Sequence, residues 1–177
     1  MYIVQKPTYS TVSSMAIDVD IIQDVETLLR NLNGYELLSY AICNEECGAE
    51  TYEWLSGRVE GLLADEFRHL AKERRKHAEE IRRLFERLYP GRKPLDFNAP
   101  PLDTLPVCGE MMKAEDVEKG LALALLSEAI GRDVYRKLQR MSGEETSELF
   151  GRLAKIKEDS YRRLLGLYER IVDARHP

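Results

Sequence analysis

Apolar residues recur along this chain at alternating steps of three and four, the spacing of a helix that buries one stripe. In the segment 70–88 the inward positions step by 4, 3, 4, 3 and 4 residues. The same pattern marks out four segments, at residues 35–57, 62–89, 115–141 and 144–174. It therefore predicts an all-α chain with four main helices.

Capping residues indicate where two of these helices begin. Asn33 with Glu36 forms a capping-box pattern before the first helix, and Ser142 with Glu145 forms another before the fourth. The short loop between the first two helices predicts that they pack antiparallel.

The connection between the second and third helices is long and irregular. Five of the seven prolines lie between residues 90 and 106. Two antiparallel helices followed by such a crossover are typical of a ferritin-like four-helix bundle. We assign residues 34–177 to this bundle. Residues 1–33 are predicted to form an extended arm and a short helix that begins at Asp20.

Polar residues interrupt the inward stripes near the middle of each helix. Their positions are Glu45, Arg74, His77, Glu128, Lys157 and Ser160. An unpaired charge in a protein core costs several kcal/mol. Such residues persist there only if they neutralise one another or hold something charged. Two carboxylates against two cations, with the histidine uncharged, balance formally.

The two halves of the chain align without a gap at an offset of 83 residues. Both halves read Glu-x-x-Gly-x-x-x-Tyr, with a cation 29 residues after the glutamate. Glu45 thus aligns with Glu128, and Arg74 aligns with Lys157. The aligned apolar positions alone fix this register. The matching glutamates and cations are therefore independent evidence for the repeat. The repeat predicts a pseudo-twofold axis through the bundle.

The segments AICNEECGAETYEWL and LAKERRKHAEEIRRLFERLY resemble the rubrerythrin branch of the ferritin-like superfamily. The resemblance covers about residues 35–175. It implies a di-metal site in which each half supplies one glutamate from its first helix and a Glu-x-x-His from its second. Such a site holds two irons, or iron and manganese, and reduces peroxide or activates oxygen. Carboxylates and imidazoles are suitable ligands for these ions.

Three of the six implied ligand positions are altered in this chain. Glu45, Glu128 and His77 match the family pattern, whereas the other positions hold Arg74, Lys157 and Ser160. A cation in place of a ligand adds a repulsion of roughly 4 kcal/mol per pair of unit charges at 4 Å. We therefore expect no cofactor, and a non-catalytic protein with a buried ion network. The predicted network is Glu45, Arg74, Glu128, Lys157 and Ser160.

A rearranged metal site is the alternative. Glu73 lies four residues before His77, so a small rotation of the second helix exchanges Glu73 for Arg74. Iron or manganese is then held by Glu45, Glu73, His77 and Glu128. The chain is in that case a peroxide-reducing oxidoreductase, for which we assign no further catalytic residue.

Composition and charge limit the partners and the location that we expect for the protein. The net charge of −5 argues against a general nucleic-acid role. No apolar run approaches the roughly 20 residues that span a bilayer, so we expect a cytoplasmic protein without a membrane partner. Family resemblance implies a homo-oligomer. Cys43 and Cys47 share a helix face, which indicates a packed surface or a redox pair.

Overall fold

The structure is a computed structural model, and it describes residues 30–96 and 117–175. Four helices occupy this part of the chain: α1 (Gly34–Ser56), α2 (Gly61–Leu88), α3 (Val117–Met141) and α4 (Glu144–Arg175). No strand occurs in these described ranges. The prediction of an all-α four-helix bundle is confirmed. The predicted arm and short helix lie outside the described residues.

The capping box of α1 forms as its sequence predicts. The Glu36 amide donates to the Asn33 side chain at 3.1 Å, and the Asn33 amide donates to the Glu36 carboxylate at 2.8 Å. The second predicted box is wrong. The Ser142 hydroxyl instead donates to the Leu138 carbonyl of α3 at 2.6 Å. Gly143 takes the capping position, where its carbonyl accepts from the Ser147 amide.

Contacts along the helices define the topology. At one end of the bundle, Tyr35 at the start of α1 packs on Phe85 at the end of α2, so these helices are antiparallel. Tyr168, late in α4, donates to Glu118, early in α3, so α3 and α4 are also antiparallel. Arg152, early in α4, pairs with Glu80, late in α2, so α2 and α4 are antiparallel as well. Consequently α2 and α3 run in the same direction, which is the arrangement that the long connection in the sequence predicts.

The inward stripes are buried over the middle of the bundle and lose their cover at its ends. Predicted inward residues such as Leu38, Phe67, Leu121 and Phe150 are at most 1% exposed. Leu167 and Ile171 are half-buried and pack against the core from their inward positions. Two others were predicted inward wrongly, since Leu88 is 38% exposed and Ala174 is exposed. These two positions continue the periodic pattern beyond the length that neighbouring helices cover.

Candidate functional site

One residue from each helix meets at the centre of the bundle. Glu45 comes from α1, Arg74 from α2, Glu128 from α3 and Lys157 from α4. All four are between 0 and 3% exposed. Each lies on the apolar stripe of its own helix, so the packing that forms the core also brings these charges together.

Each cation lies between the two carboxylates. The Arg74 guanidinium is 2.7 Å from Glu128 Oε1 and 3.8 Å from Glu45 Oε1. The Lys157 ammonium is 3.1 Å from Glu45 Oε1 and 3.9 Å from Glu128 Oε2. Four charges of alternating sign therefore form one compact cluster in which each cation neutralises both anions.

Two tyrosines complete the cluster by bonding across the halves of the chain. Tyr135 of α3 donates its hydroxyl to Glu45 at 2.5 Å. Tyr52 of α1 donates to Glu128. Each tyrosine ring stacks on the phenylalanine of the adjacent helix, Tyr52 on Phe67 and Tyr135 on Phe150, with ring centres 5.8 and 5.9 Å apart. The contacts at positions 83 residues apart are thus equivalent.

The two halves differ at the positions of His77 and Ser160. His77 Nδ1 lies 3.2 Å from Glu45 Oε2, and the histidine side chain is 12% exposed. Ser160 is buried, but within the described residues its hydroxyl pairs with Arg163 at 3.4 Å rather than with a glutamate. Ser160 was predicted to belong to the ion network, but among the described residues no hydrogen bond joins it to either carboxylate.

Glu73 does not enter the core. Its carboxylate lies 2.6 Å from Arg163 of α4 and 3.3 Å from His69. Arg74 occupies the inward position, so the rotation of α2 that would exchange the two residues is not seen. Glu73 is thereby separated from the other members of the alternative metal set.

Arg163 is a residue that the helical pattern did not single out. Besides Glu73, it lies 3.1 Å from Glu66. Burial lowers the pKa of its guanidinium, but Glu73 and Glu66 outweigh burial, so that pKa is raised. Its stem leaves the outer side of α4 and reaches back over Ser160. The only signal in the sequence was its spacing of three residues from Ser160, which places the two on neighbouring positions of one helix.

Burial and charge act in opposite directions on the two carboxyl groups. Burial raises the pKa of Glu45, but Lys157 and Arg74 outweigh it and hold that pKa well below its usual value of 4.5. For Glu128 burial also opposes ionisation. Arg74 and Lys157, together with the Tyr52 hydrogen bond, still lower its pKa. Both carboxyl groups are therefore ionised at neutral pH.

The lowered pKa values predict a loss of stability in acid. A carboxyl group whose pKa is lower in the folded chain stabilises the fold above its unfolded pKa, and this contribution is lost as the pH falls. We expect the urea midpoint to stay constant between pH 7 and 5 and to decrease steeply below the ordinary glutamate pKa of 4.5. The double variant Glu45→Gln/Lys157→Met, which lacks one anion and one cation, should show a shallower decrease. An equally steep decrease in that variant would contradict the prediction.

Gly48 gives Arg74 the room it needs. A Cβ at position 48 would lie 2.3 Å from Arg74 Nη1 and 2.7 Å from its Cζ, closer than such atoms approach. The guanidinium thus lies directly against the backbone of α1, one turn after Glu45. An interior glycine destabilises a helix by about 1 kcal/mol relative to alanine. Here the glycine lies at the point where the Arg74 guanidinium packs.

Alanine at position 48 is expected to lower the free energy of unfolding by about 1–3 kcal/mol, since the new methyl group displaces the guanidinium. Gly166 provides the matched control. It lies inside α4, and a Cβ added there would have no neighbouring atom within 4 Å, so Gly166→Ala should stabilise by about 0.5–1 kcal/mol. Urea denaturation of both variants measures the difference. Equal effects in the two would show that Arg74 does not depend on Gly48.

Cys43 and Cys47 lie on the outward side of α1, and both are half-buried. Burial raises the pKa of each thiol, and the pKa of Cys47 rises to about 12. A thiol with such a pKa carries little thiolate, which is the reactive form. The raised pKa values therefore weigh against the redox interpretation of this pair.

The residues at the bundle centre do not suit a di-metal site. The positive groups of Arg74 and Lys157 lie against both glutamates, where the implied ligand set requires two further carboxylates. Across residues 30–96 and 117–175, no group of three or more His, Cys, Asp or Glu side chains is arranged to hold a metal ion.

The rubrerythrin family model matches residues 36–168. The chain belongs to the rubrerythrin family. A solved structure of a hypothetical protein from Pyrococcus furiosus is similar to this rubrerythrin-family chain, with 26% identity and a TM-score of 0.66. That match covers 86% of this chain and 96% of the other. No curated protein matches.

The family resemblance drawn from the repeated Glu-x-x-Gly-x-x-x-Tyr motif is thus confirmed, and the fold follows from it. Among the described helices of this rubrerythrin-family chain, none combines the length and apolar composition that crossing a bilayer requires.

Proposed function

We propose that this chain is a rubrerythrin-family protein in which a buried ion network replaces the di-metal site, and that it is not a metal-dependent catalyst. The observation that carries the proposal is the position of the two cations. Arg74 lies 2.7 Å from Glu128, and Lys157 lies 3.1 Å from Glu45. They occupy the space beside the glutamates where metal ions would bind.

Electrostatics support this interpretation. A divalent ion placed between the glutamates would lie within a few Å of two fixed positive charges. At 4 Å and an effective dielectric of 20, each pair of unit charges costs about 4 kcal/mol, and a divalent ion doubles that cost. The two carboxylates are already neutralised by the cations, so they offer little net attraction in return.

Metal analysis of the chain purified without chelators tests the proposal. We expect iron and manganese at the level of the buffer blank, both after purification and after anaerobic incubation with either ion. Near-stoichiometric metal that disappears in the Glu45→Gln variant would overturn the proposal. Metal that the same variant retains would lie elsewhere and would leave the network interpretation supported.

The competing function is a peroxide-reducing oxidoreductase with one metal ion on Glu45, Glu73, His77 and Glu128. The pairing of Glu73 with Arg163 gives this set no support. Peroxide consumption by the iron-treated chain distinguishes the two functions. We expect a rate equal to that of free iron, and a faster rate that Glu45→Gln abolishes would favour the oxidoreductase.

We further propose that the protein acts in the cytoplasm as a homo-oligomer, without nucleic acid or membrane as a partner. The family resemblance supports the oligomer, and the net charge of −5 supports the absence of nucleic acid. Light scattering coupled to size exclusion measures the oligomeric state directly. A monomer across the accessible concentration range would contradict the proposed homo-oligomer.

A further inference from the structure

A groove of about 600 Å³ opens at the end of the bundle where α1 turns into α2 and α4 finishes. Its walls are mostly apolar side chains from the turn and from both helices, including Val59, Leu62, Leu167 and Ile171. None of the four charged residues of the ion network lines it. Its size is within the range of about 300–1,000 Å³ that is usual for small-molecule sites.

Leu62 gives the groove an unusually exposed apolar wall. The residue is 73% exposed, more than the other large hydrophobic residues of the described chain. A single exposed leucine needs no explanation. Here, however, it continues an apolar surface that also includes half-buried Leu167 and Ile171. A ligand with an aliphatic chain would cover this surface and remove it from water.

Two arginines, Arg58 and Arg170, lie on the same groove without a carboxylate partner among the described residues. The Arg58 guanidinium stacks 3.2 Å from the centre of the Trp54 ring. Arg170 donates to the Gly166 carbonyl of its own helix at 2.9 Å. Many other arginines of the bundle, such as Arg82, are paired with glutamate. With Glu60 as the acidic residue of the lining, the groove carries a net positive charge.

We propose that this groove binds an amphipathic anion, a molecule with an aliphatic chain and a terminal carboxylate. The chain lies along Leu62, Leu167 and Ile171, and the carboxylate pairs with Arg58 or Arg170. Guanidinium groups suit this role because they bond carboxylates through two parallel N–H donors. The site is independent of the ion network, so the two proposals stand or fall separately.

Trp54 provides a direct reporter of binding. It is the single tryptophan of the chain, and Arg58 stacks on it, so movement of Arg58 toward a ligand should change its fluorescence. The probe is decanoate, used below its micelle concentration and titrated into the full chain. Isothermal titration calorimetry measures the stoichiometry. Decyltrimethylammonium has the same chain length and the opposite charge.

Four variants separate the groove from the rest of the surface. Leu62→Glu and Arg170→Glu change exposed groove residues. Leu95→Glu and Arg140→Glu are matched controls: Leu95 is 42% exposed, and Arg140, like Arg170, bonds a carbonyl of its own helix. All four are expected to fold, which circular dichroism checks.

We expect saturable decanoate binding at one molecule per chain, and weaker binding of the cationic probe. Each groove variant should weaken decanoate binding by about tenfold or more, since each places a like charge beside the carboxylate. Each control should remain within about twofold of the original affinity. Absence of decanoate binding, equal binding of both probes, or equal losses in groove and control variants would each overturn the proposal.

Discussion

Replacing Glu45 with alanine is expected to lower the free energy of unfolding by about 3–5 kcal/mol. The carboxylate is fully buried and lies 3.1 Å from Lys157 and 3.2 Å from His77. Its removal takes away the nearer carboxylate of the lysine, whose other glutamate partner, Glu128, is 3.9 Å away. It also removes the acceptor of the Tyr135 hydroxyl. A stranded charge and an unsatisfied donor therefore act together.

Chemical denaturation at pH 7 measures the effect, and Glu53→Ala is the matched control. Glu53 also pairs with an arginine, Arg75, but both side chains are more than half exposed. Removing an exposed partner should cost less than about 1 kcal/mol. If Glu45→Ala costs no more than Glu53→Ala, then Glu45 is solvated and the buried network does not exist in solution.

A second substitution should relieve much of the loss. In Glu45→Ala with Lys157→Met, the stranded ammonium is replaced by an apolar side chain of similar length. Replacement of a complete buried ion pair by apolar residues is often neutral or stabilising. We therefore expect the double variant to be more stable than Glu45→Ala alone. If the loss of unfolding free energy in the double variant equals the sum of the losses in Glu45→Ala and Lys157→Met, the two groups do not interact.

The sequence was sufficient for the helices because their signals are local and periodic. The start of α1 at Gly34 follows from its capping box, and the predicted ends of α1 and α2 lie one residue from those observed. The inward position of Glu45 and Arg74 followed from the same periodicity. A stripe of spacing 3.6 fixes which residues face inward wherever a neighbouring helix is present.

The ends of the buried stripes and the reach of long side chains could not be predicted, because both depend on distances between helices that the periodic pattern does not give. The pattern cannot show where a neighbouring helix ends, so Leu88 and Ala174 were predicted to face the core although both are exposed. It also cannot show how far a long side chain reaches. Arg163 starts on an outer position of α4 and reaches Glu66 and Glu73 of α2. Its pairing with Glu73 separates the buried network from the alternative metal set.

Restoring the implied ligand set should turn the network into a metal site. The triple variant Arg74→Glu, Lys157→Glu and Ser160→His replaces two cations by carboxylates and supplies the second imidazole. Four carboxylates with neutral histidines carry four negative charges, which two divalent ions balance. We expect uptake of about two iron ions per chain, since hard oxygen ligands and imidazoles suit this ion.

Metal and stability should be linked in this variant. Without metal, four buried carboxylates repel one another, so the triple variant should unfold at lower urea than the original chain. A ligand that binds only the folded state stabilises it by about 2.7 kcal/mol at a concentration of 100 Kd. Added iron should therefore raise the urea midpoint of the variant and leave that of the original chain unchanged.

A control variant removes the two cations without adding carboxylates. In Arg74→Gln with Lys157→Gln and Ser160→His, the cations are gone and the histidine is present, but the two extra carboxylates are missing. This variant should take up less iron than the triple variant. The new imidazole would lie next to Arg163, which is 3.4 Å from the Ser160 hydroxyl and pairs with Glu66 and Glu73. If the triple variant folds but takes up no metal, positions 74 and 157 do not face a common centre, and the alignment of the two halves is wrong.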